Sequence, residues 1–220
     1  MIPLTNDRPS NIEIRKFRPE DMRRCTELAV ETWSELPPGI TKEMNETYWR
    51  TLVDIILRLT QWREVACDSD TVVGYLFGAT ERKRSMRTML YILRKLLSLE
   101  GKPAIRNLKD LERIIPFIVR NALTESKVWL HTRRSDGEVH IFVVDGSYRG
   151  RGIGRTLMSR LLIEAKEKKV RSVTVYTTDP GSNWKFYEIL GFKKAAEFDD
   201  DIISFYEGRR AKGLIFTIDM

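Results

Sequence analysis

Cysteine is scarce in this chain. Cys25 and Cys67 are the only two in 220 residues, and they show neither redox nor metal-ligand spacing. Both are expected to be buried and reduced, and a cytoplasmic location is the expectation that follows. No apolar run approaches the ~20 residues needed to cross a bilayer. The opening MIPLTNDRPS lacks a basic start followed by an apolar core, so no secretory leader is expected. Internal repeats and low-complexity tracts are missing too, which argues against solenoids and disordered arrays. What is present is 42% hydrophobic and 31% charged residues, the composition of a globular domain. The length suits one domain, expected over residues 1–220.

The net charge of +7 is unevenly spread. Residues 82–113 carry ten basic side chains and three acidic ones, while basic and acidic residues balance elsewhere. The basicity therefore belongs to one stretch. Arg84 to Leu99 has a broad apolar face (Met86, Leu90, Leu93, Leu97) with basic residues opposite, and Gly101-Lys102-Pro103 breaks it. Ile105 to Ile115 reads as a second helix, which Pro116 stops or kinks, with Phe117 to Leu123 as its continuation.

Elsewhere the pattern alternates between strand and helix. Ile12 to Phe17 reads as a half-buried strand. Arg18-Pro19-Glu20-Asp21 then opens a helix through Trp33, and a second helix runs from about Thr41 to Leu59. The Leu36-Pro37-Pro38-Gly39 loop between them is a reasonable wall for a pocket. Glu64 to Cys67 and Val72 to Thr80 form a hairpin across Asp68-Ser69-Asp70. A short strand is expected at Val128 to His131, joined through Ser135-Asp136-Gly137 to a strand ending at Val144. After the helix that follows, Arg171 to Thr177 is a strand, and the right-handed crossover makes it parallel to its predecessor. Ser182 is expected to cap a short helix to Leu190 that Gly191 ends. Phe192 to Phe198 and Leu214 to Ile218 close the chain as strands.

The organising stretch is Val139 to Leu162. A β-branched strand runs into Arg149-Gly150-Arg151-Gly152-Ile153-Gly154 and then into a helix with apolar Ile153, Leu157, Leu161 and Leu162. Free amides at the positive end of a helix dipole suit a phosphate. Three glycines allow close approach to the main chain, and arginines add charge. A P-loop would need Gly-Lys-Ser/Thr at the end of the turn, and a dinucleotide fingerprint would need glycine at position 155, where Arg155 stands.

The remaining pattern, R-x-x-G-x-G over Arg149 to Gly154, resembles motif A of the GNAT N-acetyltransferase superfamily, which holds the pyrophosphate of acetyl-CoA. Asn183 to Phe192 supplies N-x-x-x-Y-x-x-x-G-F, similar to that family's motif B. Spacing puts Asn183 and Tyr187 four apart, on one helix face. The resemblance implies a mixed α/β fold. Its mostly antiparallel sheet would hold a central parallel pair, splayed for the coenzyme, with helices on both faces and a helical insertion at about 82–127. It implies an acetyl-CoA-dependent N-acetyltransferase, needing no metal, that moves the acetyl group to a primary amine by direct attack. Arg149, Gly150, Arg151, Gly152, Ile153, Gly154 and Arg155 would hold phosphate. A bulge at Phe142, Val143 and Val144 would pair with the pantetheine arm, and Asn183 would hydrogen-bond it. Tyr187 would assist the departing thiolate.

For the base, the resemblance points to Glu138, with His140, Glu81 and water left open. The family usually has proline at position 146, where this chain has Gly146. The acceptor is a small-molecule or peptide amine. The basic insertion is read as a helical lid, with a homodimer contact and peripheral membrane attachment as alternatives. Nucleic acid is disfavoured, since aromatics that could stack on bases, such as Tyr91, are scarce there. A coenzyme-binding module without catalysis, its insertion touching an anionic partner, is the competing class.

Overall fold

The computed structural model describes residues 12–36, 40–80, 108–179 and 182–220. Seven strands form one sheet: β1 (Ile12–Lys16), β2 (Trp62–Asp68), β3 (Thr71–Ala79), β4 (Gly137–Val144), β5 (Ser172–Asp179), β6 (Lys193–Asp199) and β7 (Lys212–Asp219). Their spatial order is β1-β2-β3-β4-β5-β7-β6. Every neighbouring pair is antiparallel except β4–β5, which is parallel. The helix α4 (Ile153–Glu167) crosses between those two strands, so the parallel pairing expected from a right-handed crossover is observed. Glu81 and residues 82–107 lie outside the described residues, as do Pro37, Pro38 and Gly39.

Apolar residues at helical and strand spacing sort onto two faces. On one, Leu157, Met158, Leu161 and Ala165 of α4 pack on Val139, Val173, Val175 and Phe216. The other face is covered by α1 (Met22–Thr32) and α2 (Lys42–Leu59), whose Cys25, Leu28, Val53 and Ile56 meet Tyr75, Phe77, Ile141 and Val143. Thr41 caps α2 by accepting the Met44 amide at 3.2 Å. Trp33 and Trp49 stack at 4.5 Å and join the two helices.

Two expectations need correction. Val128 to His131 is not a strand. It belongs to α3 (Leu108–Thr132), a helix that runs through Pro116 and the expected continuation over Phe117 to Leu123 as far as Thr132. Phe117, Thr124, Val128 and Thr132 are buried at helical spacing, while Trp129 and Leu130 are exposed, a pattern that no alternating strand makes. Tertiary packing holds the helix through the proline. Tyr48 of α2 meets Phe117 at 4.9 Å and accepts a hydrogen bond from Asn121 at 2.8 Å. Ser182 is not a helix cap either. Its hydroxyl donates to the Thr178 carbonyl and accepts from Thr177 at 2.7 Å, while α5 (Lys185–Ile189) starts three residues later.

One element was missed, α6 (Asp201–Glu207). Its signals are Asp200 as cap, an acid in the first turn, and Gly208 at φ 62 closing it. Asp200 is fully buried and accepts hydrogen bonds from the Ile203 amide (2.9 Å), the Thr124 hydroxyl (3.0 Å) and the Tyr176 hydroxyl. One carboxylate thus ties α3, β5 and α6 together. Among the described residues, no helix is long and apolar enough to cross a membrane.

Replacing Asp200 with alanine removes the cap and strands two buried hydroxyls, at a cost of about 2–4 kcal/mol. Asp200→Asn keeps the cap and is expected to lose less than half of that. Urea denaturation of both variants measures the difference, and equal losses would contradict the capping role.

Candidate active site

The central feature is the parting of β4 and β5. They pair at Gly137 with Val173, Glu138 with Thr174 and Val139 with Val175, then separate although both strands run on. Each remains held on its outer side, β4 by β3 as far as Val144 and β5 by β7 as far as Asp179. Ile141 to Val144 and Tyr176 to Asp179 therefore have no β4–β5 ladder between them and border a V-shaped gap. Its vertex is pinned from several directions. The Ser135 hydroxyl lies 2.8 Å from the Gly137 carbonyl and 3.0 Å from that of Ser172. Arg171 donates to Asp136 through Nε and Nη2, both at 2.8 Å, and through its amide at 3.1 Å.

A bulge is present, but not at Phe142 to Val144. The β3 register steps from Phe77–Ile141 to Gly78–Val139, so His140 is the extra residue. An inserted residue reverses which face the following side chains take. Accordingly Val139 packs on the α4 side, Ile141 and Val143 on the α1–α2 side, and Phe142 and Val144 on the α4 side again. The strand bends where the gap opens.

At the wide end, a one-turn 3-10 segment (Gly146–Tyr148) leads into α4. Gly150 and Gly152 have φ of 79° and 81°, the left-handed region that glycine tolerates best. Gly154 serves another purpose, since a Cβ there would sit 3.0 Å from Cζ of Phe142. Among the described residues, the amides of Gly150 to Arg155 donate to no backbone carbonyl, and they form the positive end of a 15-residue helix. Arg149 and Arg155 are exposed beside them, with Arg151 lying over Tyr148 at 4.8 Å. Arg149 Nε donates to the Val144 carbonyl at 3.2 Å and ties the turn to the strand end. Ile153 is buried, and its side chain anchors the helix start. The left-handed glycines and the free amides lie where the sequence pattern places the turn.

Tyr187 is buried, packed between Phe192 and Phe216 at 5.9 Å each. Burial pushes its phenol well above the usual range, so it is protonated at neutral pH. Its hydroxyl has no hydrogen-bond partner among the described residues. Asn183 is exposed and precedes α5, where its carbonyl accepts the Phe186 amide at 3.0 Å. It therefore does not share a helical face with Tyr187, because the helix is too short to include it. Glu138 is 6% exposed and lies in the closed part of the pair. His140 is half-buried at the opening.

A mixed α/β sheet with one parted parallel pair and an amide-lined turn at its open end defines the fold class. The profile of the Acetyltransferase (GNAT) family matches residues 27–192, and the chain belongs to that family. No curated protein sequence matches it. Among solved structures, SsHAT superposes with a TM-score of 0.64 at 16% identity, covering 94% of this chain and 98% of its own. The PaiA N-acetyltransferase from Thermoplasma acidophilum, in complex with coenzyme A, gives 0.55 at 18% identity, covering 96% and 99%. An agmatine N-acetyltransferase variant in apo form gives 0.59 at 13%, covering 96% and 100%. These likenesses establish the shared fold, and the family match makes this chain an acetyltransferase-family protein.

The vertex pair carries a pH signature. Hydrogen bonds from the Arg171 side chain, then from its amide, hold the Asp136 carboxyl down to about 2. Its folded value lies below the unfolded one (about 4), so its contribution is complete above pH 4 and fades as pH falls towards 2. The gap in thermal midpoint between wild type and Asp136→Asn is therefore expected to be largest above pH 5 and to close by pH 2. A gap that persists at pH 2 would contradict the assignment.

Proposed function

We propose that this chain transfers an acetyl group from acetyl-CoA to a primary amine by direct attack. The observation that carries the reading is the continuity of the gap with the glycine turn. An extended arm lying between β4 and β5 brings a pyrophosphate onto the amides of Gly150 to Arg155. Arg149, Arg151 and Arg155 add charge to that cradle. Ile141 to Val144, beyond the β4–β5 ladder, offer a strand edge to an arm bearing amide groups, much as a sheet edge takes a peptide. Asn183 stands before α5 as a further partner for the arm.

In the reaction, the amine nitrogen bonds to the acetyl carbon, the C–S bond breaks, and the amine loses a proton. Tyr187 acts on the sulfur. A thiol near 8.5 is a stronger acid than a tyrosine near 10, and burial widens the difference. Tyr187 therefore stabilises the departing thiolate by a hydrogen bond and is not left ionised. Glu138 accepts the amine proton. Its position supports this, since alternation places it opposite Val139, on the α1–α2 side. That side is free of α4 and suits the acceptor.

Free-thiol release from acetyl-CoA in the presence of an amine panel tests the reading. Turnover with at least one amine is expected, and coenzyme binding without turnover by any acceptor would favour the non-catalytic module. Tyr187→Phe is expected to lower kcat by about 10- to 1000-fold with little change in coenzyme affinity. Glu138→Gln is expected to cost about 100-fold or more near neutral pH and less at alkaline pH, where the free amine is abundant. Unchanged turnover in either variant removes that residue from its role.

A further inference from the structure

We propose that the Arg24–Asp145 ion pair is a positioning clamp that keeps the Gly146–Arg151 turn in its phosphate-binding shape. The inference rests on the acetyl-CoA reading and adds residues that neither motif contains.

Asp145 is an odd residue to find at this place on electrostatic grounds alone. Hydrogen bonds from Ser147 keep its carboxyl below the usual range, so it puts a negative charge beside a cradle meant for an anion. Simple Coulomb repulsion would weaken binding. Its contacts give a structural reason for its presence. Oδ1 accepts the Ser147 amide at 2.9 Å and the Ser147 hydroxyl at 2.6 Å, folding the first turn. Oδ2 accepts from Arg24 Nη2 at 3.1 Å. Arg24 belongs to α1, 121 residues away in sequence, and its other nitrogen is held by Glu31 at 2.8 Å. The Asp145 amide donates to the Val73 carbonyl at 2.9 Å. On the far side of the turn, the Tyr148 hydroxyl donates to Asp68 at 2.8 Å. The turn is thus fastened both to α1 and to the β2–β3 hairpin.

Gly146 explains why fastening matters. As a glycine it has more backbone freedom to lose than other residue types when a ligand orders the turn. Nothing in its surroundings requires glycine: a Cβ there would meet nothing within 4 Å, and its φ is not positive. Its amide donates to no backbone carbonyl. It is the first residue of the 3-10 segment, a position that suits proline. Asp145 at φ −48°, ψ 134° already has the extended backbone required before proline. A proline at 146 would therefore stiffen the turn covalently and do the clamp's work without the ion pair.

The test measures acetyl-CoA affinity, the KM for acetyl-CoA and kcat at saturation for wild type, Arg24→Gln, Asp145→Asn, and each combined with Gly146→Pro. Asp145→Asn keeps an oxygen that accepts the Ser147 amide but loses the charge pair. Both single variants are expected to raise Kd and KM by about 2- to 5-fold, the scale of a partly exposed ion pair, with kcat moved by less than about twofold. Gly146→Pro is expected to recover most of the loss in both. S-acetylpantetheine, which lacks the pyrophosphate, is expected to show no change in KM. Tighter binding by Asp145→Asn would mean that charge alone matters, and would overturn the clamp. So would failure of Gly146→Pro to restore affinity, or an equal KM rise with S-acetylpantetheine. A wild type that binds no acetyl-CoA would instead overturn the underlying reading.

Discussion

Two parallel strands that start as partners and then part are the feature on which the rest depends. Opening a sheet normally strands a row of amides and carbonyls, at a cost for each buried group. Here both strands keep a full antiparallel neighbour on the outer side, so the sheet stays whole around the gap. Polar contacts at the vertex, Ser135 bridging two carbonyls and Asp136 gripping Arg171, fix where pairing ends. The exposed edges are then a resource, because an extended ligand with amide groups can satisfy them. Fold and binding slot are one construction.

The two faces of the sheet divide the work. On the α4 face, Gly154 lets Phe142 lie against the helix start, and Phe186 packs on the same ring at 5.7 Å. That side is closed and apolar, and it sets the height of the amide-lined turn relative to the strand. On the other face, aromatic contacts join α1 to α2 and α2 to α3, with Trp33 stacked on Trp49 and Tyr48 bonded to Asn121 and edge-on to Phe117. The bulge at His140 is the hinge between these roles, since it reverses the side on which each following residue falls. The Arg24–Asp145 ion pair then joins α1 to the turn.

Much of this was readable in the chain itself. The glycine turn, the helix behind it and the parallel crossover follow from short-range chemistry: positive φ, helical spacing and a handedness rule. Both family motifs lie in such segments. Errors arose where distant packing outweighed local preference. The chain alone leaves open whether Pro116 stops or only kinks the helix, and α3 passes it with Phe117, Asn121 and Thr124 each partnered on other elements. Val128 to His131 has a strand-like composition, but its burial pattern is helical. The bulge was expected near Phe142 and falls at His140, since register is a property of two strands together.

What the sequence determined by itself is the glycine turn and the helix that follows it, because glycines, arginines and helix dipole act within a dozen residues. The identity of the strands around it was also local, written in alternating and β-branched residues. Tertiary structure alone decided where β4 leaves β5, which face each side chain of β4 takes, and that Arg24 meets Asp145. Those outcomes depend on residues far apart in the chain, and no local preference specifies a meeting between α1 and a turn more than a hundred residues later.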